Sequence, residues 1–454
     1  MKPLLLLPVE NQVRELDAKL LVAVLGAQVG HQSVIGWKQL IDYRIGRFPP
    51  SVYFAKSISQ ANTKMLRLKR RIGHYVIAWD EEAVVHYPNE IYYKRRVGTD
   101  ALALVDLLVA WGEDNKELLM GHPSCDGSII RVVGNPRVDL LRGEMRELFQ
   151  DRVDALRDEY GDFILINTNF GSVNGYTDKL NLMRQDGEGG EWIMGRGSNG
   201  MPLEYAQGLF AYRSEVLRGF EELMPKIAEA FPDRKVVLRP HPSEDHEFWR
   251  RCLAAWPNVV VKAEGNVVPW LIACGVLVHN GCTTAVEGFE LGTRIVSFVP
   301  KEDERYEFAL PNQLGVRCSD ATAVIDAIAN PVADRDPSGA RRKLVDRFIH
   351  EADDELAAER VLFLVPGRLP LARWRRLPIR VAGMVHAEVR MLVKRFQRKA
   401  GVARYSESFM RQRFPELDVP TMQKKADRML RITNSERGVR VTQRERDLFE
   451  ISPC

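Results

Sequence analysis

The chain has 454 residues, too many for one ordinary hydrophobic core, so two domains and an additional segment are expected. Apolar residues make up 45% and charged residues 28%, with a net charge of only +4, the composition of a globular protein. The longest apolar runs fall short of the ~18–20 residues that span a bilayer. Six scattered cysteines (Cys125, Cys252, Cys274, Cys282, Cys318, Cys454) show neither metal-ligand nor CxxC spacing, the usage expected of a reducing cytoplasm.

The opening Met1–Val9 carries one lysine and a short apolar run without a small-residue cleavage site. It reads as a first buried strand, not a signal peptide. Leu4–Pro8 is strand-like, Arg14–Gly30 repeats apolar residues at helical spacing, and Ser33–Gly36 is strand-like again. Further strands are expected at Val52–Ala55, Tyr75–Trp79, Leu107–Trp111 and Ile129–Val133, with helical patterns between most of them. Leu141–Tyr160 is a charged helical connector. The alternation then restarts: a strand at Phe163–Asn167, a long helix at Ser214–Phe231, and strands at Lys235–Arg239, Val259–Val261, Gly275–Val278 and Arg294–Phe298. A glycine-rich insertion, "QDGEGGEWIMGRGSNGMP" (Gln185–Pro202), reads as a mobile loop, a lid or an acceptor-side loop.

Short apolar strands alternating with helices predict α/β architecture with two Rossmann-like, doubly wound parallel sheets. The expected divisions are an N-terminal Rossmann-like domain at 1–140, a connector at 141–160, a second Rossmann-like domain at 161–335 and a helical, basic C-terminal segment at 336–454. Two such domains imply a cleft, with ligands beyond the carboxyl ends of the strands. Polar clusters fall at those ends: Glu10, Asp80-Glu81-Glu82, Gly134-Asn135-Pro136, Asn167-Thr168-Asn169, His241 and His279–Thr284.

Two clusters suit a phosphate. "VVLRPHPSED" sets Arg239, His241 and Ser243 after a strand on a proline-stiffened backbone; a charged surface turn is the alternative. In "HNGCTTAVE", His279, Asn280, Gly281, Cys282, Thr283 and Thr284 offer small residues, hydroxyls and a helix N-terminus, and Glu287 follows where a carboxylate can take a ribose diol. The alternative there is a capping box, Thr284-x-x-Glu287. "LPNQLG" (Pro311, Asn312, Gly315) follows the last strand and reads as an ordinary loop, with closure over a bound base or sugar as the alternative. No Asp-x-Asp pair stands at a strand end, Asp353-Asp354 reads as solvent-facing, and no metal or other cofactor is expected.

His279-x-Gly281-x-x-Thr284-x-x-Glu287 resembles the nucleotide-binding segment of glycosyltransferases of the two-domain GT-B fold. Arg239-Pro240-His241-Pro242 resembles the His-Pro motif of bacterial capsule, teichoic-acid, sialyl and Kdo transferases. Gly134, Asn135 and Asp139 in "VVGNPRVDLL" resemble a Gly-Asn-x-x-x-Asp segment of UDP-N-acetylglucosamine 2-epimerases. With Pro8-Val9-Glu10 and Arg14-Glu15-Leu16, residues 1 to about 330 resemble the bacterial surface carbohydrate biosynthesis proteins. The resemblance implies a metal-independent glycosyltransferase that takes a nucleotide-sugar donor, with 1–140 the acceptor-side domain and 161–335 the nucleotide-sugar-binding domain. A CMP-linked ulosonic acid such as Kdo is favoured and a UDP-sugar stands second. The acceptor implied is a surface polysaccharide or a lipid-linked glycan. Cys282 stands where similar segments often carry Ser, so a phosphate contact there is either weakened or passes to Thr283. A base for the acceptor hydroxyl is expected among Glu10, Asp80, Glu15 and Glu81, although Arg14-Glu15 reads equally as a surface pair and Asp80–Glu82 as a solvated loop. An epimerase-like enzyme and a non-catalytic scaffold are the alternative functions.

Between Arg368 and Arg404 stand eleven Lys or Arg and one acid, Glu388, interleaved with apolar residues including Trp374. Such a segment suits an anionic membrane surface, or a helix returning to the first domain. No nucleic-acid module accompanies it. A cytoplasmic location, peripheral on the inner face of the inner membrane, is expected, and residues 420–454 read as helical and then frayed.

Overall fold

A parallel strand covered on both faces needs apolar residues on both, and the strands here are nearly continuous apolar runs. The computed structural model describes residues 2–187, 189–331, 336, 338–351, 355–369, 377–399 and 414–454. Asp353-Asp354, Trp374 and residues 400–404 of the basic stretch lie outside the described residues. The chain divides into two compact units: 1–83, 93–148 and 346–454 form one, and 84–92 with 149–345 the other.

In the first unit β1 (Leu4–Val9), β2 (Ser33–Trp37), β3 (Ser51–Ala55), β4 (Tyr75–Ala78), β5 (Leu107–Ala110) and β6 (Ile130–Val132) pair in parallel in the order β2-β1-β3-β4-β5-β6. β2 and β3 are buried along their whole length. The chain runs from β1 to one side and then returns to β3 on the other, which makes the carboxyl end of β1 the switch point.

The second unit has a six-stranded sheet from β7 (Ile164–Asn167), β10 (Val236–Arg239), β11 (Val259–Val261), β12 (Val276–His279), β13 (Ile295–Phe298) and β14 (Val316–Cys318). Its order is β11-β10-β7-β12-β13-β14, all parallel, so the switch point is the carboxyl end of β7. The long helix Leu203–Ala230 lays Leu209, Val216, Phe220, Leu223, Met224 and Ile227 into the core at helical spacing. The glycine-rich insertion is more ordered than a loop: β8 (Met183–Gln185) and β9 (Trp192–Met194) form an antiparallel hairpin.

The C-terminal segment returns to the first unit. Helix Ala357–Phe363 packs on helix Gln12–Gln28, and the Asp139 carboxylate accepts the N–H groups of Ala357 and Ala358 at 2.8 Å each. Gly134 adopts φ +78° where the His350 carbonyl approaches, and Asn135 caps the turn Pro136–Asp139 through the Arg137 N–H. The Gly-Asn-x-x-x-Asp segment therefore receives the returning chain, and burial pushes the Asp139 carboxyl up to about 6. Helix Val419–Ile432 buries Met422, Ala426 and Met429.

Residues beyond that helix are not frayed. β15 (Val439–Glu445) and β16 (Leu448–Pro453) form an antiparallel hairpin, and β16 extends the first sheet beside β2. Leu448, Phe449 and Ile451 are buried by this addition. A Cβ at Gly36 would meet the carbonyl oxygen of Asp447, which accepts from the Trp37 N–H. Gly36→Ala is expected to force β16 off β2 at a cost of ~1–3 kcal/mol, read as a lower urea midpoint.

Candidate active site

The first unit places charged residues after four adjacent strands: Glu10 after β1, Lys38 after β2, Lys56 after β3, and Asp80-Glu81 after β4. Glu15 is their hub. Its carboxylate accepts from the N–H groups of Glu10 (2.9 Å) and Asn11 (3.3 Å), from Lys19 Nζ (3.0 Å) and from Lys56 Nζ (2.6 Å). Lys19 Nζ also donates to the Pro8 carbonyl at 2.6 Å and lies 3.4 Å from Glu81, which accepts from Trp79 Nε1 at 2.9 Å. Burial alone would raise the Glu15 pKa, but Lys19 and Lys56 outweigh it and hold the carboxyl far below the usual range. The same contest, with Lys56 and Lys38 winning over burial, lowers Glu10.

These contacts correct two expectations. Glu15 is not a surface partner of Arg14; it is 4% exposed and committed to two lysines, while Arg14 lies 3.9 Å from Glu82. Asp80 and Glu81 are not in a solvated loop: both are buried, and Asp80 is gripped by both arms of the Arg96 guanidinium. Of the four acids, Glu10 has the most open side chain, 34% exposed, with Lys56 at 3.2 Å and Lys38 at 3.5 Å.

In the second unit the strand register sets Arg239, Asn167, His279 and Ser297 in one row across β10, β7, β12 and β13. Arg239, expected as a phosphate-facing cation, is held here by its own unit. Its guanidinium donates to the carbonyls of Glu264 (2.9 Å) and Gly265 (3.1 Å) and lies 4.7 Å from the Trp270 ring, and burial pulls its pKa down to about 10. His279 is fully buried between Ser297 Oγ (3.1 Å) and the Cys282 N–H (3.5 Å), and burial pulls its pKa down to about 3, so it stays neutral and holds the loop. Asn167 is buried with no hydrogen-bond partner for its Oδ1.

The loop after β12 is pinned from both sides. Gly281 sits at φ +53°, a conformation that favours glycine. Its carbonyl accepts from Asn169 Nδ2 (3.1 Å) and its N–H donates to Asn312 Oδ1 (2.6 Å). Asn312 is fully buried and donates on to Glu307, so "LPNQLG" is no ordinary loop; its Ala309–Asn312 turn is a brace for Gly281. Asn169 is in turn fixed by Arg213, whose Nη1 donates to its Oδ1 at 2.7 Å and whose guanidinium stacks on Phe308. Asn280 donates to the Phe298 carbonyl.

Helix Thr284–Leu291 opens from this loop with no side-chain cap, so the Thr284–Glu287 capping box does not form. The Thr284 hydroxyl donates to the buried Cys282 sulfur at 3.1 Å, which turns Cys282 inward and leaves Thr283 at the helix mouth. Half-buried Glu287 lies in the helix's first turn.

The loop after β10 is built on Glu244, a buried carboxylate that accepts from Thr168 Oγ1 (2.9 and 3.0 Å), the His241 N–H (2.8 Å) and Trp249 Nε1 (2.9 Å). This ties the loops after β7 and β10 together. Burial outweighs those donors and raises the Glu244 pKa. His241 is exposed, and its Nδ1 accepts from the Ser243 N–H at 3.2 Å with Ser243 Oγ at 2.7 Å. In the neutral ring the proton is then on Nε2. Glu244 and Arg213 escaped the sequence reading: the first stands in a polar turn and the second inside a helix, where a charge usually means solvent.

No family model matches the chain, and no curated protein matches it. Among solved structures it is similar to a variant of the wall teichoic acid polymerase TagF, with a TM-score of 0.52 and 10% identity over 80% of this chain and 88% of that one. A UDP-GlcNAc 2-epimerase from Methanocaldococcus jannaschii gives 0.46 at 11% identity, over 76% of this chain and 99% of that one. At such identities the likeness concerns the fold, and only the first score bears on it. The chain has the GT-B type of fold, two Rossmann-like sheets each with its loops at the carboxyl edge.

Proposed function

We propose that the chain is a glycosyltransferase whose second unit binds the nucleotide of a sugar donor, and that it transfers the sugar to a surface polysaccharide or lipid-linked glycan. The observation that carries this is the Gly281 loop. It lies at the switch-point edge of a parallel sheet, is held rigid by Asn169 and Asn312, and leads into a helix whose first N–H groups have no side-chain cap. Such a mouth suits a phosphate, with Thr283 and the Nε2–H of His241 as further donors. Glu287 is assigned to the ribose hydroxyls. Charge that develops on the leaving phosphate during transfer would be met by dipoles already in place.

Glu10 is the acid we assign as base for the acceptor hydroxyl, with Lys56 and Lys38 keeping it ionised near neutral pH. Arg239, His279 and Asn280 support the donor loops from beneath. Independence from metal and a cytoplasmic site of action belong to the same proposal.

The donor class is read by melting the protein with CMP, UDP, GDP and CDP in turn. A ligand at ~100 times its Kd adds ~2.7 kcal/mol of stability, which a melt resolves. One nucleotide is expected to raise the melting temperature well above the others; a CMP response favours an ulosonic-acid donor and a UDP response a UDP-sugar. Identical curves with all four would count against a nucleotide site.

A further inference from the structure

The insertion between β7 and helix Leu203–Ala230 leaves its sheet at the switch point and is tied back to the loop after β10. The Tyr176 N–H donates to the Ser243 carbonyl at 3.0 Å, and the Asp245 N–H to the Asn174 carbonyl at 2.9 Å. The β8–β9 hairpin is held to the same segment. The Leu182 N–H donates to the Ser172 carbonyl at 2.7 Å, and the Gly197 N–H to the Asn181 carbonyl at 3.2 Å. Beside the hairpin lie two open cavities of about 460 and 770 Å³, and Arg184 lines both.

The smaller cavity is walled by Trp192 and Phe210, whose rings lie 5.3 Å apart and are tilted by 52°. Trp192 is 55% exposed, although tryptophan is a highly buried side chain on average. The hairpin register pairs it with Gln185, and directly opposed residues point to one face, so an amide stands beside the indole. Asp178 and Asn181 line the same cavity. Asn181 Oδ1 accepts from the Gly175 N–H at 2.9 Å, which leaves the Nδ2 hydrogens to donate elsewhere. A sugar ring has this mixed character. Its C–H groups suit the π face of an indole, and its rim of hydroxyls both donates and accepts. A purely apolar ligand would leave the amides and the carboxylate without partners.

The larger cavity is cationic, with Lys179 and Arg196 joining Arg184 in its wall. Arg184 has Asp186 at 3.7 Å, whereas among the described residues Lys179 and Arg196 have no acidic partner. We propose that the hairpin binds a saccharide carrying a carboxylate or a phosphate, with the ring on Trp192 and the acidic group towards Lys179, Arg184 and Arg196. That this saccharide is the acceptor of the transfer rests on the function proposed above; the binding itself does not.

The test is calorimetric titration of the full chain with a hyaluronan oligosaccharide, which carries carboxylates, a mannose oligomer with a terminal phosphate, and the same oligomer without it. At least one acidic probe is expected to bind ~10-fold or more tightly than the neutral one, by a margin that shrinks as salt is raised. Which acidic probe responds names the acidic group. Trp192→Ala is expected to weaken that probe ~10-fold or more. Lys179→Ala with Arg196→Ala is expected to bring it to the level of the neutral oligomer. All three side chains are exposed, so each variant should keep the wild-type melting curve and its response to nucleotide. No binding of either acidic probe, or unchanged affinity in Trp192→Ala, would overturn the proposal. Equal wild-type affinity for neutral and acidic probes would overturn its acidic part. A nucleotide response without saccharide binding would sink this inference alone. Saccharide binding without a nucleotide response would keep the site and sink the acceptor role.

Discussion

Glu15→Ala is expected to destabilise the protein by ~3–5 kcal/mol, the usual effect of removing one partner from a buried ion pair. Lys19 is 2% exposed and would be left with Glu81 at 3.4 Å and the Pro8 carbonyl as its remaining neighbours. The N–H groups of Glu10 and Asn11 would lose their acceptor as well, so the turn after β1 would loosen. The pH dependence carries a definite sign. The folded-state pKa of Glu15 lies below its ordinary value of 4.5, so its contribution is complete above that pH and is lost as the pH falls through the folded value. The gap in denaturation midpoint between wild type and variant should therefore be widest near neutral pH and shrink on acidification.

Glu244→Gln is expected to show the opposite trend. Its folded pKa is raised above 4.5 because burial outweighs its donors. The folded protein thus holds an extra proton in the window between the ordinary and the raised value, and wild-type stability gains from this group as the pH falls through that window. Glutamine cannot make this gain, so its deficit should widen towards pH 4.5. Glu244→Ala is the harsher change. It leaves Trp249 Nε1, Thr168 Oγ1 and the His241 N–H without their acceptor, at a cost on the order of 3–5 kcal/mol. It should also weaken nucleotide binding, because the loops after β7 and β10 share this one post. Urea titrations at two pH values separate the two glutamates.

Most of the sheet was legible because its strands are continuous apolar runs, such as "LLLLPV" and "VLVH", whose physics needs no partner information. The C-terminal hairpin was not. β15 alternates Val439 and Val441 with Arg440, Thr442 and Gln443, and such a short edge pattern resembles a solvated tail until a neighbouring strand is known. The loop after β12 was legible as a turn at Gly281, where a positive φ between strand and helix favours glycine. The partners of Arg239 were not legible because a strand residue has two faces, and only the sheet decides that this one points to Trp270 and the Glu264 carbonyl. Glu15 and Glu244 were illegible as hubs for a related reason. A buried carboxylate is recognised by the donors around it, and those come from residues distant in sequence, such as Lys56 and Thr168.

The central claim is that the Gly281 loop, His241 and Glu287 hold a nucleotide. Calorimetric titration of the stabilising nucleotide into the wild type, His241→Ala and Glu287→Ala tests it most directly. The account predicts at least ~10-fold weaker binding in each variant, ~1.4 kcal/mol, with the ligand-free melting temperature unchanged. Equal affinity in all three proteins would contradict it.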